Sequence, residues 1–562
     1  MIGRLRHLLI AVLLGAVTVA ALASAHRQVG YARDEGIYFE ASRRYAAWLV
    51  LLRDDSGKAN KQKVRDRYLS VNHEHPALMK MLAGVSARTL AQPPATGTRT
   101  GKDDTGGTFP TMPEGAAMRL PAQLLAGLGV ALLYMAGVAM GGSAWAGLLA
   151  AGWFILTPRV FFHAGLHAFD VPVAVAMLWV VLAYRRAQTS VWWGVALGPL
   201  LGIAIAVKHN ALFVPILLAA HWVCTLAWAR WRDRRPTTWR QLIPLPMVSM
   251  ATLGPLTAFA VWPWLWSDPV DRLREYFDFH RQHNWYNMEF LGHNYNQPPM
   301  PMSYSAVLTW ATVPTVLLLL ATLGLVVMVV RDLRRPPPSA TGPVPQNVEG
   351  SWSRPMAPGW ARLDGLLLLM LGLFPLVLIA LPTTPIFGGT KHWLTAYPFL
   401  ALASAVAWGW MWKHSGVGRL RQRWLMPVTL ALVLGPGALS TVRGHPYGLS
   451  QYAPLVGGPR GAARLGLGRG FWGHAVLGLM PSLAEHKRVS LHDLHTLAHK
   501  QYMREGTWPA QTEAAGVARS DAGLLFYEKH MATNEYELWE RQRAASPEEL
   551  VTLHDVPLTA LY

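Results

Sequence analysis

Runs of about 20 mostly apolar residues recur along this chain, and each is long enough to cross a bilayer as a helix. Nothing else in the sequence restricts the fold as strongly, because lipid offers no partner for an unpaired backbone N–H or C=O. The runs lie near 7–25, 119–140, 143–158, 170–184, 192–208, 210–229, 242–263, 304–330, 363–382, 394–412 and 425–442. They predict a mainly α, polytopic membrane protein of about eleven transmembrane helices. Composition agrees: 52% of residues are hydrophobic and 15% charged, against roughly 25% charged in a soluble domain. The single cysteine, Cys224, excludes an intrachain disulfide.

A formal charge of +19 invites a nucleic-acid reading, but the basic residues sit in short loops between apolar runs. That is the mark of a cytoplasmic membrane face. No compact basic domain or basic-aromatic motif supports nucleic-acid binding. Arg4 and Arg6, Arg185 and Arg186, the stretch 230–240, Arg331 with Arg334 and Arg335, and Lys413 with Arg419, Arg421 and Arg423 all fall inside if the N-terminus is cytoplasmic. An odd number of spans then puts the C-terminus outside. The expected location is a bacterial inner membrane, with the C-terminus periplasmic. Residues 1–25 also have a basic start and a signal-like Ala23-Ser24-Ala25. Their apolar run is long for a signal peptide, so an uncleaved first span is expected.

Residues 1–442 read as the transmembrane domain. It carries a first external loop at 26–118, a second at 264–303 and a Pro-rich cytoplasmic linker at 331–362. External amphipathic helices are expected, one over Gly36–Leu52. Residues 443–562 read as a small external α+β domain, with helical patterns over Leu483–Glu505 and Glu535–Arg543 and strands over Gly523–Tyr527 and Leu550–His554. No transporter-like internal repeat is evident.

Charged residues gather at span ends on the predicted external side. Asp34 and Glu35 follow the first span. A carboxylate there can take a proton from an incoming hydroxyl or amine; it can equally be a polar flank or helix cap. The stretch His73-Glu74-His75-Pro76 precedes Lys80 by about one helical turn, with Pro76 suited to a first turn. Lys80 is a compact point charge suited to phosphate. His73, Glu74 and His75 are also candidate metal ligands. Arg119, Arg159, His163, Asp170, Lys208, Lys391 and His392 complete the set. Asp170 at the mouth of a span has two readings, an N-cap or an orienting carboxylate. Cations on the face opposite the basic loops point to an anionic, lipid-linked substrate, with snorkelling anchors as the plain alternative. Trp262, Trp264 and Trp266 read in part as an aromatic belt.

These residues also form a known pattern. Asp34-Glu35, His75-Pro76-Ala77-Leu78-Met79-Lys80, Phe169-Asp170-Val171-Pro172, Gly389-Thr390-Lys391-His392-Trp393-Leu394 and the stretch 445–462 occur in order along the chain. The set resembles the GT-C glycosyltransferases, which use polyprenyl-phosphate-linked sugars, and within them the protein O-mannosyltransferases and aminoarabinose transferases. Ala77 stands where a second proline is usual and Lys391 where arginine is common. The acidic residue expected before Trp472 is missing.

The resemblance implies a polyprenyl-phosphate sugar donor, membrane lipid around it, a protein, lipid or glycan acceptor, and inversion at the anomeric carbon. It assigns Asp34 as base with Glu35 beside it. Lys80, Arg119, Arg159, Lys391 and His392 are then phosphate contacts. Glu74, His75, His163, Asp170 and Lys208 orient the acceptor, and Glu74, His75 and Asp170 are the candidates for a divalent metal ion. The rival readings are a multi-pass transporter or lipid flippase and a non-catalytic assembly protein. A transporter favours charges deep within spans and internal symmetry, whereas here the charges lie at span ends.

Overall fold

The computed structural model describes residues 2–95, 106–232, 239–282, 286–334, 362–386, 388–492, 494–528, 540 and 546–562. Most of the 331–362 linker and the expected helix Glu535–Arg543 lie outside these residues.

The main helices are α1 (Ile2–Ala25), α2 (Arg33–Asp54), α3 (Leu78–Leu90), α4 (Glu114–Gly141), α5 (Ala144–Ile155), α6 (Pro158–Gly165), α7 (Asp170–Ala187), α8 (Val191–Val207) and α9 (Phe213–Arg232). They continue with α10 (Leu245–Ala260), α11 (Pro269–Arg281), α12 (Tyr304–Thr312), α13 (Thr315–Arg334), α14 (Asp364–Ala380), α15 (Tyr397–His414), α16 (Arg419–Gly444), α17 (Gly458–Arg464) and α18 (Thr496–Arg504). Each apolar run of the sequence is helical over most of its length. Six described helices are long and apolar enough to cross a membrane, or seven with the bent pair α5–α6. α7, α8, α10 and α14 are shorter or carry more charge. The chain is a polytopic, mainly helical membrane protein, consistent with eleven crossings.

Local chemistry explains the breaks. Ser143 caps α5, its Oγ accepting from Ala146 N at 3.1 Å, and so restarts the chain after Gly142 ends α4 in the left-handed region at φ 75°. Pro158 has no N–H for the preceding ladder but suits a first turn, so it ends α5 and opens α6 at a 69° bend. That bend turns Arg159 and His163 along one end of the bundle.

Two smaller apolar layers cover that end. Tyr45, Trp48, Ala77, Trp262, Trp264 and Tyr276 form one. Trp262 and Trp264 are therefore packed core residues, buried between α2 and α11, and not part of an interfacial belt. The second joins Tyr31 and Phe39 to Ala498, Tyr502 and Leu524. It docks α2 against the C-terminal part of the chain. There β3 (Arg488–Ser490), β4 (Glu513–Ala515), β5 (Ala522–Phe526), β6 (Glu549–Leu553) and β7 (Val556–Leu561) form a mixed sheet in the order β4-β3-β5-β7-β6. A separate hairpin pairs β1 (Met288–Phe290) with β2 (His293–Tyr295).

Two sequence expectations need correction. The helical pattern over Leu483–Glu505 breaks into β3 and α18, because Val489 is drawn into the sheet between β4 and β5 and is fully buried there. Pro76 does not open a helix; α3 starts at Leu78, after a turn spanning Asn72–His75.

Candidate active site

The site begins at the first turn of α2. Glu35 is fully buried and acts on structure. Its Oε2 accepts from Ala32 N at 3.0 Å, its Oε1 accepts from His167 N at 2.8 Å, and Arg119 grips both oxygens at 2.8 and 2.6 Å. A carboxylate at this position is favourable for the helix, since it takes up a free N–H and faces the positive end of the dipole. Arg119 uses its remaining donors on His26 O, Val29 O and Gly30 O at 2.9–3.0 Å. All five N–H groups are engaged, which leaves none for a phosphate. Sequence reasoning placed Arg119 with the phosphate ligands and Glu35 with the catalytic pair; the bonds make them instead the frame that holds the start of α2.

That frame presents Asp34 on the next side of the helix. Asp34 Oδ2 is 3.5 Å from Lys391 Nζ, and its Oδ1 is 3.7 Å from Arg33 Nε. Burial alone would raise the Asp34 pKa, but Lys391 and Arg33 outweigh burial and hold it below the usual carboxylate range. Lys391 feels the reverse. Burial lowers its pKa, and Asp34 and Asp170 only partly restore it. Asp170 pairs with Lys208 at 2.6 Å, bridging the start of α7 to the end of α8, and makes no N-cap bond.

Glycines set the position of Lys391. A Cβ at Gly388 would lie 2.0 Å from Lys391 Cε, and Gly389 has φ +59°, a conformation costly for other residues. The ammonium folds back over this turn and lies 4.4 Å from the ring centroid of Trp472. Arg159 joins from α6. Its guanidinium stands over the Tyr452 ring at 4.7 Å, and its Nη1 is 3.7 Å from the position a Gly389 Cβ would take. Arg159, Gly388, Gly389, Tyr304, Leu308 and Phe471 line one cleft. Arg159 Nε, both nitrogens of His163, Thr390 Oγ1 and Trp472 Nε1 are buried there or beside it with no hydrogen-bond partner among the described residues. His163 packs edge-on against Trp472 at 5.4 Å, and His392 closes the same turn, half-buried. Among the described residues five cations, Arg33, Arg159, Lys208, Lys391 and Arg469, thus stand with three carboxylates, Asp34, Asp170 and Glu289, at or beside this cleft. The surplus is positive, and buried polar groups without partners are costly. Such a place suits an anion with several oxygens.

The His73–Lys80 stretch behaves otherwise. Lys80 is fully buried, and its Nζ donates to Asn72 O at 2.6 Å and His75 O at 2.7 Å. Burial pulls its pKa down to about 7, with Glu74 opposing. Lys80 ties the turn that precedes α3. His73 bonds Ser70 O at 2.8 Å and Glu275 at 3.0 Å, and Glu74 accepts from Asn72 at 2.7 Å. His75 does face the site. Its ring lies 5.5 Å from Phe169 and 6.3 Å from His280. Burial, then Lys208 and Lys80, keeps it well below the ordinary histidine pKa and so neutral. Among the described residues no group of three or more His, Cys, Asp or Glu side chains is placed to hold a metal ion. Asp170 is already paired with Lys208, and Glu74 is engaged by the Asn72 amide. The residues present do not fit the metal set of Glu74, His75 and Asp170.

Sequence reasoning missed Arg33, Tyr38, Tyr452 and Trp472. Tyr38 stacks on Phe169 at 4.4 Å, between α2 and the start of α7. Arg33 was legible as the neighbour of Asp34. Tyr452 and Trp472 reach the site from loops whose resemblance to the family pattern gave them no role.

Residues 63–267 match the family model described as dolichyl-phosphate-mannose-protein mannosyltransferase. No curated protein matches the chain in sequence. Two solved structures align with nearly the whole chain. One is ArnT from Cupriavidus metallidurans bound to undecaprenyl phosphate, with TM-score 0.49, 14% identity and coverage of 98% of this chain and 97% of that one. The other is the same protein in the apo state, with TM-score 0.46, 15% identity and the same coverage. The chain is thus a polytopic membrane protein that, across residues 63–267, is similar to the dolichyl-phosphate-mannose-protein mannosyltransferases.

Proposed function

We propose that this chain is a membrane glycosyltransferase of GT-C type. It moves a sugar from a polyprenyl-phosphate-linked donor to an acceptor at the external face of a bacterial inner membrane, with inversion. The observation that carries this reading is the contact between Asp34 and Lys391 within a surplus of cations at one end of the helical bundle. The match over residues 63–267 supports the same class.

Asp34 is the base in this reading. It is ionised, and its side chain is the more open of the acidic pair, 23% exposed against 1% for Glu35. It removes the acceptor's proton as the acceptor attacks the anomeric carbon. The bond from that carbon to the carrier phosphate breaks, and the phosphate leaves with the electron pair. Polyprenyl phosphate is a weak base, so the leaving group asks for charge stabilisation more than for an acid. Arg159 and Lys391 supply it, with Thr390 Oγ1 and Trp472 Nε1 available as neutral donors. Asp170 and Lys208 hold α7 and α8 together, and the Glu35–Arg119 pair fixes the angle of α2.

The test is transfer from a labelled lipid-linked sugar in proteoliposomes. Asp34→Asn removes a general base worth about 10²–10⁴-fold and is expected to abolish most turnover while the protein stays folded. Full turnover by that variant removes Asp34 as base.

A further inference from the structure

Tyr452 divides two clefts. On one side it lines the cleft of Arg159 and Gly389. On the other it lines a larger one, about 750 Å³, at the end of α16, walled by Leu439, Arg443, Gln451, Gly457 and Arg460. Val428, Leu432, Leu439 and Val442 are exposed along α16 at spacings that place them on one face. In a spanning helix such a face meets lipid. Arg443 follows directly at the end of this stripe. It is exposed, and its side chain has no ion-pair or hydrogen-bond partner among the described residues. Arg460 is held in place by His554 O at 2.9 Å and by the Asp555 carboxylate. Gln451 is only 5% exposed; its Nε2 donates to Tyr452 O at 3.2 Å, while its Oε1 is buried with no partner.

We propose that this cleft binds the headgroup of an anionic glycerophospholipid. The phosphate lies between the Arg443 and Arg460 guanidiniums, whose planar forks suit its oxygens. A headgroup hydroxyl donates to Gln451 Oε1, and the acyl chains follow the apolar stripe of α16. Arg443 supplies the uncompensated charge, Arg460 supplies N–H groups held in place by Asp555, the stripe supplies the tail groove, and Gln451 supplies the buried acceptor for the headgroup hydroxyl. The site stands apart from the Asp34–Lys391 centre, with Tyr452 as the common wall.

Native mass spectrometry of the full chain in mild detergent tests this. The added probes are phosphatidylglycerol, phosphatidylcholine with the same acyl chains, polyprenyl phosphate and inorganic phosphate. Phosphatidylglycerol is expected to be retained over phosphatidylcholine. Arg443→Gln should lower retention about five-fold, the scale of one basic residue near an anionic lipid, while Arg443→Lys keeps most of it. Gln451→Leu should narrow the preference for phosphatidylglycerol. Arg421→Gln, at the far end of α16, should change nothing. Equal retention by the wild type and Arg443→Gln overturns the proposal, as does an equal loss in Arg421→Gln. Retention of polyprenyl phosphate in place of phosphatidylglycerol also overturns it and assigns the cleft to the carrier lipid. Displacement by inorganic phosphate at equal concentration overturns it and assigns the cleft to free phosphate.

Discussion

Lys391 Nζ stands 3.5 Å from Asp34 Oδ2, joining a glycine-rich turn before one span to the first turn of a helix 357 positions earlier. In the proposed reaction this contact keeps the base ionised. Removing it by Lys391→Met leaves burial to act on Asp34 with only Arg33 in opposition. The Asp34 pKa then rises. The acid limb of kcat/KM against pH, measured in proteoliposomes, should therefore move to higher pH in the variant. An unmoved limb would separate Asp34 ionisation from the rate.

Gly388→Ala is expected to reproduce much of that loss without a charge change. The new Cβ would meet Lys391 Cε at 2.0 Å, so the lysine must leave its place over Trp472. Turnover should fall about ten-fold or more, a cost of about 1.4 kcal/mol in transition-state stabilisation. The thermal midpoint should barely change.

The Glu35–Arg119 pair predicts a loss of stability. Both side chains are almost completely buried, and removing one partner of a buried pair leaves an uncompensated charge, at about 3–5 kcal/mol. Arg119→Met should lower the thermal midpoint strongly by scanning fluorimetry in detergent. A stable Arg119→Met variant that loses only donor affinity would return Arg119 to the phosphate ligands.

Lys80 makes stability depend on pH. Its folded pKa is pulled to about 7 from an ordinary value of 10.5. Between those values the unfolded chain binds the extra proton, so folded stability rises with pH. The thermal midpoint should climb from pH 7 to pH 9 in the wild type and climb less in Lys80→Met, after allowance for other groups. Donor dependence of the residual activity should match the wild type, since Lys80 faces backbone carbonyls.

Much of this was legible in the sequence. The spans announced themselves because lipid forces long apolar runs, and the bilayer puts their ends on two faces. That is why Asp34, Asp170, Lys208 and Lys391, far apart in the chain, could be expected near one another. What was not legible was the partner of each charge. Glu35 and Asp34 are adjacent in sequence, yet α2 turns one into a buried frame with Arg119 and leaves the other open beside Lys391. Lys80 looked free for a ligand because its true partners are carbonyls, which every residue carries. Strand β3 was hidden because an apolar residue in a short segment fits either a helix or a strand, and only the neighbouring strands decide.

Gly36 sits against the backbone of Ala498, where a Cβ would meet the amide nitrogen at 2.3 Å. Tyr31 N donates to Tyr502 Oη, and Glu505 accepts from Tyr31 Oη and from Gly115 N. The helix bearing Asp34 is thus clamped by a segment made some 460 residues later. During synthesis the early spans enter the membrane with that clamp absent. The first turn of α2 gains its packing partner only once residues 496–505 have been made and have docked against it.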